Sequence, residues 1–323
     1  MMEKKYPMKV SYVPRERIWG GERLEHLFGK KAPFDRLGET WELTVRPDGM
    51  SHVENGAFAG LPLDEVIARL GNDAVSPAYQ GGTFPLLIKL IDAQDRLSVQ
   101  VHPDDAYAAR VEHDVGKTEM WVVLAAEPGA ELVYGLREGV DRAAFAAAVA
   151  AGRVEDVLLR HPVRAGDVCF IPSGLVHAIG AGIVVAEIQQ NSDLTYRVYD
   201  YNRRQGDGTL RTLHVAAALD VVRPFTAEQI DALRFSRKSG KDDENTLADC
   251  DYFRVERITV AGEVSLSVTR DSFAALLCIR GSGTVSGGGE TVALSAGECC
   301  FVPAGCGTCT LGGDMVLLSS TVS

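Results

Sequence analysis

Val163-Arg-Ala-Gly-Asp-Val-Cys-Phe-Ile-Pro-Ser-Gly-Leu-Val-His177 is answered near the C-terminus by Leu294-Ser-Ala-Gly-Glu-Cys-Cys-Phe-Val-Pro-Ala-Gly-Cys-Gly-Thr308. Both stretches carry glycine, five residues, proline, one residue, glycine, two residues and then a polar side chain. These are Gly166, Pro172, Gly174 and His177 in the first copy, and Gly297, Pro303, Gly305 and Thr308 in the second. Upstream, residues 120–135 align without gaps on residues 273–288, which puts Glu119 in register with Ser272. Self-similarity of this kind marks one supersecondary module used twice. The first copy keeps ligand-type side chains, His177 and Glu119, where the second has Thr308 and Ser272. The expectation is one active β-barrel and one structural β-barrel.

Short β-like runs dominate the remainder. They include residues 40–45, 86–91, 97–102, 120–124, 168–171 and 183–188, separated by Gly, Pro and Asp. Helical patterns are few: residues 63–70, 141–151 with Asp141 as N-cap and a stop at Gly152, 154–160, and a stretch over 211–222 and 226–235 broken at Pro224. Thr226 with Gln229 has the spacing of a capping box. Residues 236–245 are polar and charged, which reads as a linker or surface loop.

If Leu97-Ser-Val-Gln-Val-His102 is a strand, Ser98, Gln100 and His102 share one face, and Leu97, Val99 and Val101 share the other. Three polar residues on one face of an otherwise apolar strand suggest a lined cavity. Pro103-Asp-Asp ends this strand, and Glu119 opens the next apolar one. His26, His52, His113, His161 and His214 read as ordinary surface or core residues. Cys299-Cys300 with Cys306-x2-Cys309 is a possible partial thiolate site, but Cys300 falls on Cys169 in the repeat, so small-residue packing in a barrel strand is the favoured reading.

The chain has 323 residues, 44 acidic against 33 basic, and a formal net charge of -11. That length fits two domains, here 1–240 and 241–323. The acidic balance argues against nonspecific binding to nucleic acid or an anionic membrane surface. No stretch reaches the roughly 20 apolar residues of a membrane helix, and the first residues lack the apolar segment of a secretory signal. Seven cysteines, six of them in the last quarter, suit free thiols in a reducing compartment. A cytoplasmic location follows as the expectation.

Gly166-x5-Pro172-x-Gly174-x2-His177 resembles the second cupin motif, and His102 with Glu119 resembles a widened first motif. Six further stretches resemble type I mannose-6-phosphate isomerases more closely than cupins at large: Trp19-Gly-Gly, Gly38-Glu-Thr-Trp-Glu42, Phe84-Pro-Leu-Leu-Ile-Lys89, Leu97-Ser-Val-Gln-Val-His-Pro-Asp104, Gly116-Lys-Thr-Glu-Met-Trp121 and Glu187-Ile-Gln-Gln-Asn-Ser-Asp-Leu-Thr-Tyr-Arg197. The resemblance implies a mainly β fold of two cupin-type jelly-roll β-barrels with a few inserted helices. Residues 1–240 would be the catalytic, metal-binding barrel and 241–323 a degenerate one.

The same resemblance implies Gln100, His102, Glu119 and His177 as metal ligands. Two imidazoles, a carboxylate and an amide oxygen form an open N/O set that suits one Zn2+ per chain, with iron, manganese or cobalt also compatible. The implied reaction interconverts mannose 6-phosphate and fructose 6-phosphate by proton transfer between C2 and C1 through an enediol. Arg197 would stabilise the enediolate, Glu187 or Lys117 would shuttle the proton, and Asp193 would orient one of them. Ser98 and Arg203 match positions implied for phosphate contact, with Arg203 where longer members of the family carry Lys. Lys89 would add charge nearby and Trp19 would line the pocket, while Trp41 and Trp121 read as core. The partner is then a small-molecule sugar phosphate, with no nucleic acid and no membrane, on a monomer or homodimer. A noncatalytic metal-binding sugar-phosphate sensor, a cupin phosphoglucose isomerase and a cupin oxygenase are the rivals. The retained ligands, Lys117 and Arg197 favour the isomerase over the sensor and the oxygenase.

Overall fold

Every residue of strand Ile183–Gln190 is buried, because it lies inside a six-stranded antiparallel sheet that is covered on both faces. The order is Val168–Ile171, Glu119–Ala126, Ile183–Gln190, Leu86–Ala93, Leu37–Leu43 and Val13–Gly21. Such double burial explains why these strands read as near-continuous apolar runs. The computed structural model describes residues 3–233 and 245–322, and the chain is mainly β with a jelly-roll arrangement of sheets.

One face of this sheet packs on a five-stranded sheet made of Leu158–Pro162, Glu131–Leu136, His177–Ile179, Val99–Val101 and Tyr196–Tyr199. Between the two lie Trp19, Ile91, Trp121, Val123, Leu132, Tyr134 and Val185, the core of the first unit. The other face packs on the C-terminal unit through Leu86, Ile88, Met120, Val184 and Ile188 against Phe253, Phe273, Phe301 and Leu318. The C-terminal unit is a seven-stranded sheet whose strands Arg254–Val268, Ala274–Gly287 and Gly307–Thr321 are long enough to curl around a core of their own.

The sequence repeat is a structural repeat. Val168–Ile171 and Cys299–Val302 occupy corresponding places, and the glycines that frame them adopt the same left-handed conformations. Gly166 and Gly297 have φ of 95° and 89°, and Gly174 and Gly305 have 84° and 75°. These values disfavour side chains, which is why glycine is kept in both copies. Cys169 and Cys300 are both buried in their strands, as packing requires. Ser272, in the register of Glu119, is occupied with the backbone: it donates to Phe273 O and accepts from Val322 N.

Several elements differ from the sequence expectation. Residues 154–160 form one 3-10 turn, Val154–Val157, and then strand Leu158–Pro162, because Leu158 is drawn into the core under the helices. The helix expected from Arg211 begins only at Val215, since residues 204–210 form a tight hairpin and Arg211 is held in extended chain by Asp200. Helix Arg142–Ala150 has the expected Asp141 cap on Ala144 N, and its Phe145 packs on the outer face of the five-stranded sheet. The Thr226–Gln229 capping box forms in both directions. Strand Met8–Val10 pairs with Cys299–Val302, so the start of the chain crosses into the C-terminal sheet. The linker expected at 236–245, and with it the division at 240, lies outside the described residues except for Asn245. No described helix is long and apolar enough to cross a membrane.

Phe301 is fully buried between the two units, against Phe84 and Phe273. Phe301→Ala is expected to lower unfolding free energy by about 3–5 kcal/mol, the usual cost of emptying a buried aromatic site. Urea titration checks this, and a loss below about 1 kcal/mol contradicts the interface described.

Candidate metal centre and adjoining pocket

Strand pairing assembles the candidate ligands. His177 opens strand His177–Ile179 and lies opposite Gln100, and Gln100 in turn lies opposite Arg197 on the next strand. All three are therefore neighbours on the five-stranded sheet. Val99 and Val101 point outward into the apolar cluster beneath the helices, so Gln100 points inward with Ser98 and His102, as alternation predicts. Leu97 departs from that expectation. The strand is only Val99–Val101, and Leu97, just before it, packs inward with Trp19. From the opposite sheet Glu119 begins strand Glu119–Ala126, paired with Ile171 and Gln189.

His102, Glu119 and His177 are all buried, with one ligand atom from each lying within 4.8 Å of the others. His102 Nε2 is 3.5 Å from Glu119 Oε2, and His177 Nε2 is 3.4 Å from Glu119 Oε1. His177 Nδ1 lies 2.8 Å from Leu175 O, where it must carry the proton to donate. That leaves Nε2 as a bare lone pair directed at a carboxylate, as a metal ligand is commonly oriented. Burial drives both imidazoles toward the neutral form, His177 down to about 4 and His102 well below its usual range. Burial and the nearby Glu187 push Glu119 up to about 7, with Lys117 opposing them. His102 Nε2 and Glu119 Oε1 have no hydrogen-bond partner among the described residues. Two imidazoles and a carboxylate converging in a buried site, with polar atoms left without hydrogen bonds, form a donor set that fits a metal. Gln100 Nε2 is 3.3 Å from His177 Nε2. Its amide oxygen becomes the ligand atom if the amide is turned over.

Beside the centre lies a cavity of about 330 Å³, lined by Gln100 and by charged side chains that include Lys117. Of the other expected site residues, Ser98, Lys89, Lys117, Glu187, Asp193, Arg197 and Trp19 all line it. Lys117 Nζ bonds Glu119 Oε2 at 3.2 Å. Burial, which opposes its charge, is outweighed by Glu119, Glu187 and Asp193, so Lys117 stays protonated. Glu187 is buried between Lys89 Nζ at 3.1 Å and the Trp121 Nε1–H, which donates to Oε2 at 2.8 Å. Burial alone would raise it, but Lys89 and Lys117 hold it below the usual carboxylate range. Arg197 is half-buried, with its Nε lacking a hydrogen-bond partner among the described residues. Trp121 is core, and also stacks edge-on against His177 at 5.5 Å.

Arg203 is placed elsewhere. It does not line the cavity, and its guanidinium bonds Asp200, Arg96 O and Asp95. Arg211 lines the cavity instead, held by Asp200 through Nε at 2.8 Å and Nη2 at 2.5 Å. Arg17, Glu39, Thr195 and Gln205 also line it and were not anticipated. For Glu39 the signal was available: a carboxylate within a wholly buried central strand, Leu37–Leu43, must have a partner. Arg211 gave no local signal, since a hairpin returns it to the site.

Removing a ligand tests the centre. His177→Ala and Glu119→Gln are each expected to weaken metal binding beyond the roughly 10–100-fold that loss of an outer partner costs. Elemental analysis after dialysis against a weak chelator reads this out, and wild-type metal content in either variant contradicts the assignment.

Comparison with known proteins identifies the family. Residues 8–123 match the family model for the catalytic domain of type I phosphomannose isomerase, and residues 243–322 match that for the mannose-6-phosphate isomerase cupin domain. A mannose-6-phosphate isomerase of Streptococcus mutans is 36% identical over 318 residues, covering 97% of this chain and 98% of the relative. The crystal structure of mannose 6-phosphate isomerase from Bacillus subtilis superposes with a TM-score of 0.88 at 33% identity, covering 98% of this chain and 99% of that one. A zinc-bound mannose 6-phosphate isomerase shares the fold at 17% identity, with a TM-score of 0.75 over 98% of this chain and 99% of that chain. The chain belongs to the type I mannose-6-phosphate isomerase family.

Proposed function

We propose that this chain interconverts mannose 6-phosphate and fructose 6-phosphate, with one zinc ion held by Gln100, His102, Glu119 and His177. The observation that carries the reading is a buried His–Glu–His cluster beside a cavity lined by Gln100, Lys89, Lys117, Glu187 and Arg197. A bound zinc ion supplies Lewis-acid polarisation of the open-chain sugar's oxygens. The chain's own residues supply the rest. Glu187, ionised and aimed by Lys89 and Trp121, takes the proton from one carbon and returns it to the other. Lys117 is less suited to act as base, because its neighbours keep it protonated and tied to Glu119. It serves as a fixed positive charge beside the reacting oxygens. Arg197 stabilises the enediolate as charge develops. Asp193, on the same cavity wall, balances Lys117 and Arg197.

For the phosphate, Arg211 and Ser98 take the binding role, and Arg203 acts one step back. Asp200 accepts from both arginines, so Arg203 helps fix Asp200, and Asp200 presents Arg211 with its Nη1 outside the fork. Every residue in this scheme comes from the 1–240 portion, and we assign the 241–323 barrel a structural role. A phosphorylated sugar does not cross a membrane unaided, and a cytoplasmic location is the reading that goes with such a substrate.

The test is formation of fructose 6-phosphate from mannose 6-phosphate by the purified protein, with glucose 6-phosphate as the alternative substrate. Turnover of glucose 6-phosphate alone overturns the epimer assignment, and no turnover of either overturns the enzyme. Glu187→Gln is expected to lower kcat about 10²–10⁴-fold, the range for loss of a general base, with metal content unchanged. Near-normal kcat removes Glu187 from the role. Arg211→Met is expected to raise KM by about 10- to 100-fold, as loss of a charged hydrogen bond worth about 1.5–3 kcal/mol implies, and Arg203→Met by less. The reverse ranking restores Arg203 as the phosphate ligand.

A further inference from the structure

Glu39 is neither a metal ligand nor the proposed base, yet it is buried and lines the cavity beside them. Along Leu37–Leu43 the side chains alternate. Thr40 and Glu42 point away from the cavity, where Glu42 accepts from Thr40 Oγ1 at 2.6 Å and from Lys30 Nζ at 2.7 Å. Glu39 lines the cavity, and Trp41 lies on the same side of the strand, where it reaches Glu39. Arg17 grips Glu39 as a fork, Nε to Oε1 at 2.9 Å and Nη2 to Oε2 at 3.1 Å, and Trp41 Nε1 donates to Oε2 at 2.9 Å. The third guanidinium nitrogen, Nη1, donates to Glu16 O at 3.2 Å. Gly38 makes the fork possible, since a Cβ there would lie 2.4 Å from Arg17 Cβ.

Strand register explains what this pair faces. Trp41 lies opposite Lys89 and Glu39 opposite Ile91, so Glu39 is the diagonal neighbour of Lys89, within reach of a long side chain. Lys89 lies in turn opposite Glu187 and bonds its Oε1 at 3.1 Å. Lys89 therefore stands between two buried carboxylates and bonds the one whose oxygens Arg17 does not occupy.

We propose that Arg17 and Glu39 form a positioning pair, in which Arg17 takes up both oxygens of Glu39 and thereby commits Lys89 to Glu187. The inference rests on the isomerase reading, in which Glu187 moves the proton. Against burial, Arg17 and Lys89 together hold Glu39 ionised, down to about 2. Without Arg17 that carboxylate competes for the Lys89 ammonium, and Glu187 loses the contact that aims it. The consequence is specific: removing Arg17 harms turnover because Glu39 remains, and removing Glu39 as well repairs it. Arg17→Lys cannot reproduce the fork, because an ammonium is a point charge on a flexible stem.

The experiment compares kcat, KM and bound metal for wild type, Arg17→Met, Arg17→Lys and the double variant Arg17→Met/Glu39→Gln, with mannose 6-phosphate as substrate. Arg17→Met is expected to keep its metal and its KM while kcat falls about 10- to 100-fold, the scale on which a misplaced catalytic group costs activity. Arg17→Lys falls between, and the double variant regains most of the lost kcat. An Arg17→Met enzyme with wild-type kcat overturns the pair, as does a double variant no faster than the single one. Should Arg17→Met fail to fold, Arg17→Lys with and without Glu39→Gln gives the same comparison. Wild-type protein that isomerises no sugar phosphate overturns the reaction itself, whereas wild-type turnover with an indifferent Arg17→Met overturns only this pair.

Discussion

Two neutral imidazoles and a carboxylate facing one another inside a closed protein interior are the constraint on which the rest depends. Each presents lone pairs, and His177 has its only ring proton committed to Leu175 O. In water such an arrangement relaxes at once. Here His102, Glu119 and His177 are buried between two sheets, and Lys117 meets only part of a bonding capacity that a bound cation would satisfy. The two facing sheets supply rigidity for that purpose. Glu119 and Glu187 come from adjacent strands of one sheet, and His177, Gln100 and Arg197 from adjacent strands of the other.

The same low-dielectric interior sets the charges around the centre. Each of the three buried carboxylates in and beside the cavity has its own cation: Glu119 with Lys117, Glu187 with Lys89, Glu39 with Arg17. Truncating one member of such a pair leaves a buried charge uncompensated, so the pairs act as a set rather than as independent contacts. Trp121 and Trp41 tighten this arrangement, each giving its indole N–H to a carboxylate that would otherwise be free to turn. Their large rings fill the core while their polar edges serve the site, which joins packing to chemistry.

Much of this was legible in the sequence where chemistry and periodicity coincide. The repeat ending at His177 and Thr308 marked one β module used twice, and alternation placed Ser98, Gln100 and His102 on one face. What stayed hidden depended on long-range geometry. Arg203 looked like the phosphate ligand, but the hairpin at 204–210 delivers Arg211 to the cavity and leaves Arg203 fixed to Asp200 and Arg96. Leu97 broke the alternation because the strand ends at Val99. Nothing local in the sequence records either event. Glu39 is the intermediate case, since its burial was readable but its partner Arg17 was not.

The most direct test is a zinc titration into metal-stripped protein, following bound metal and mannose 6-phosphate turnover in the same samples. The account predicts that activity starts near zero and rises in proportion to bound zinc, with a break at one ion per chain. Full turnover in metal-free protein, or zinc that binds without restoring turnover, would contradict the claim that the buried cluster is the centre of the reaction.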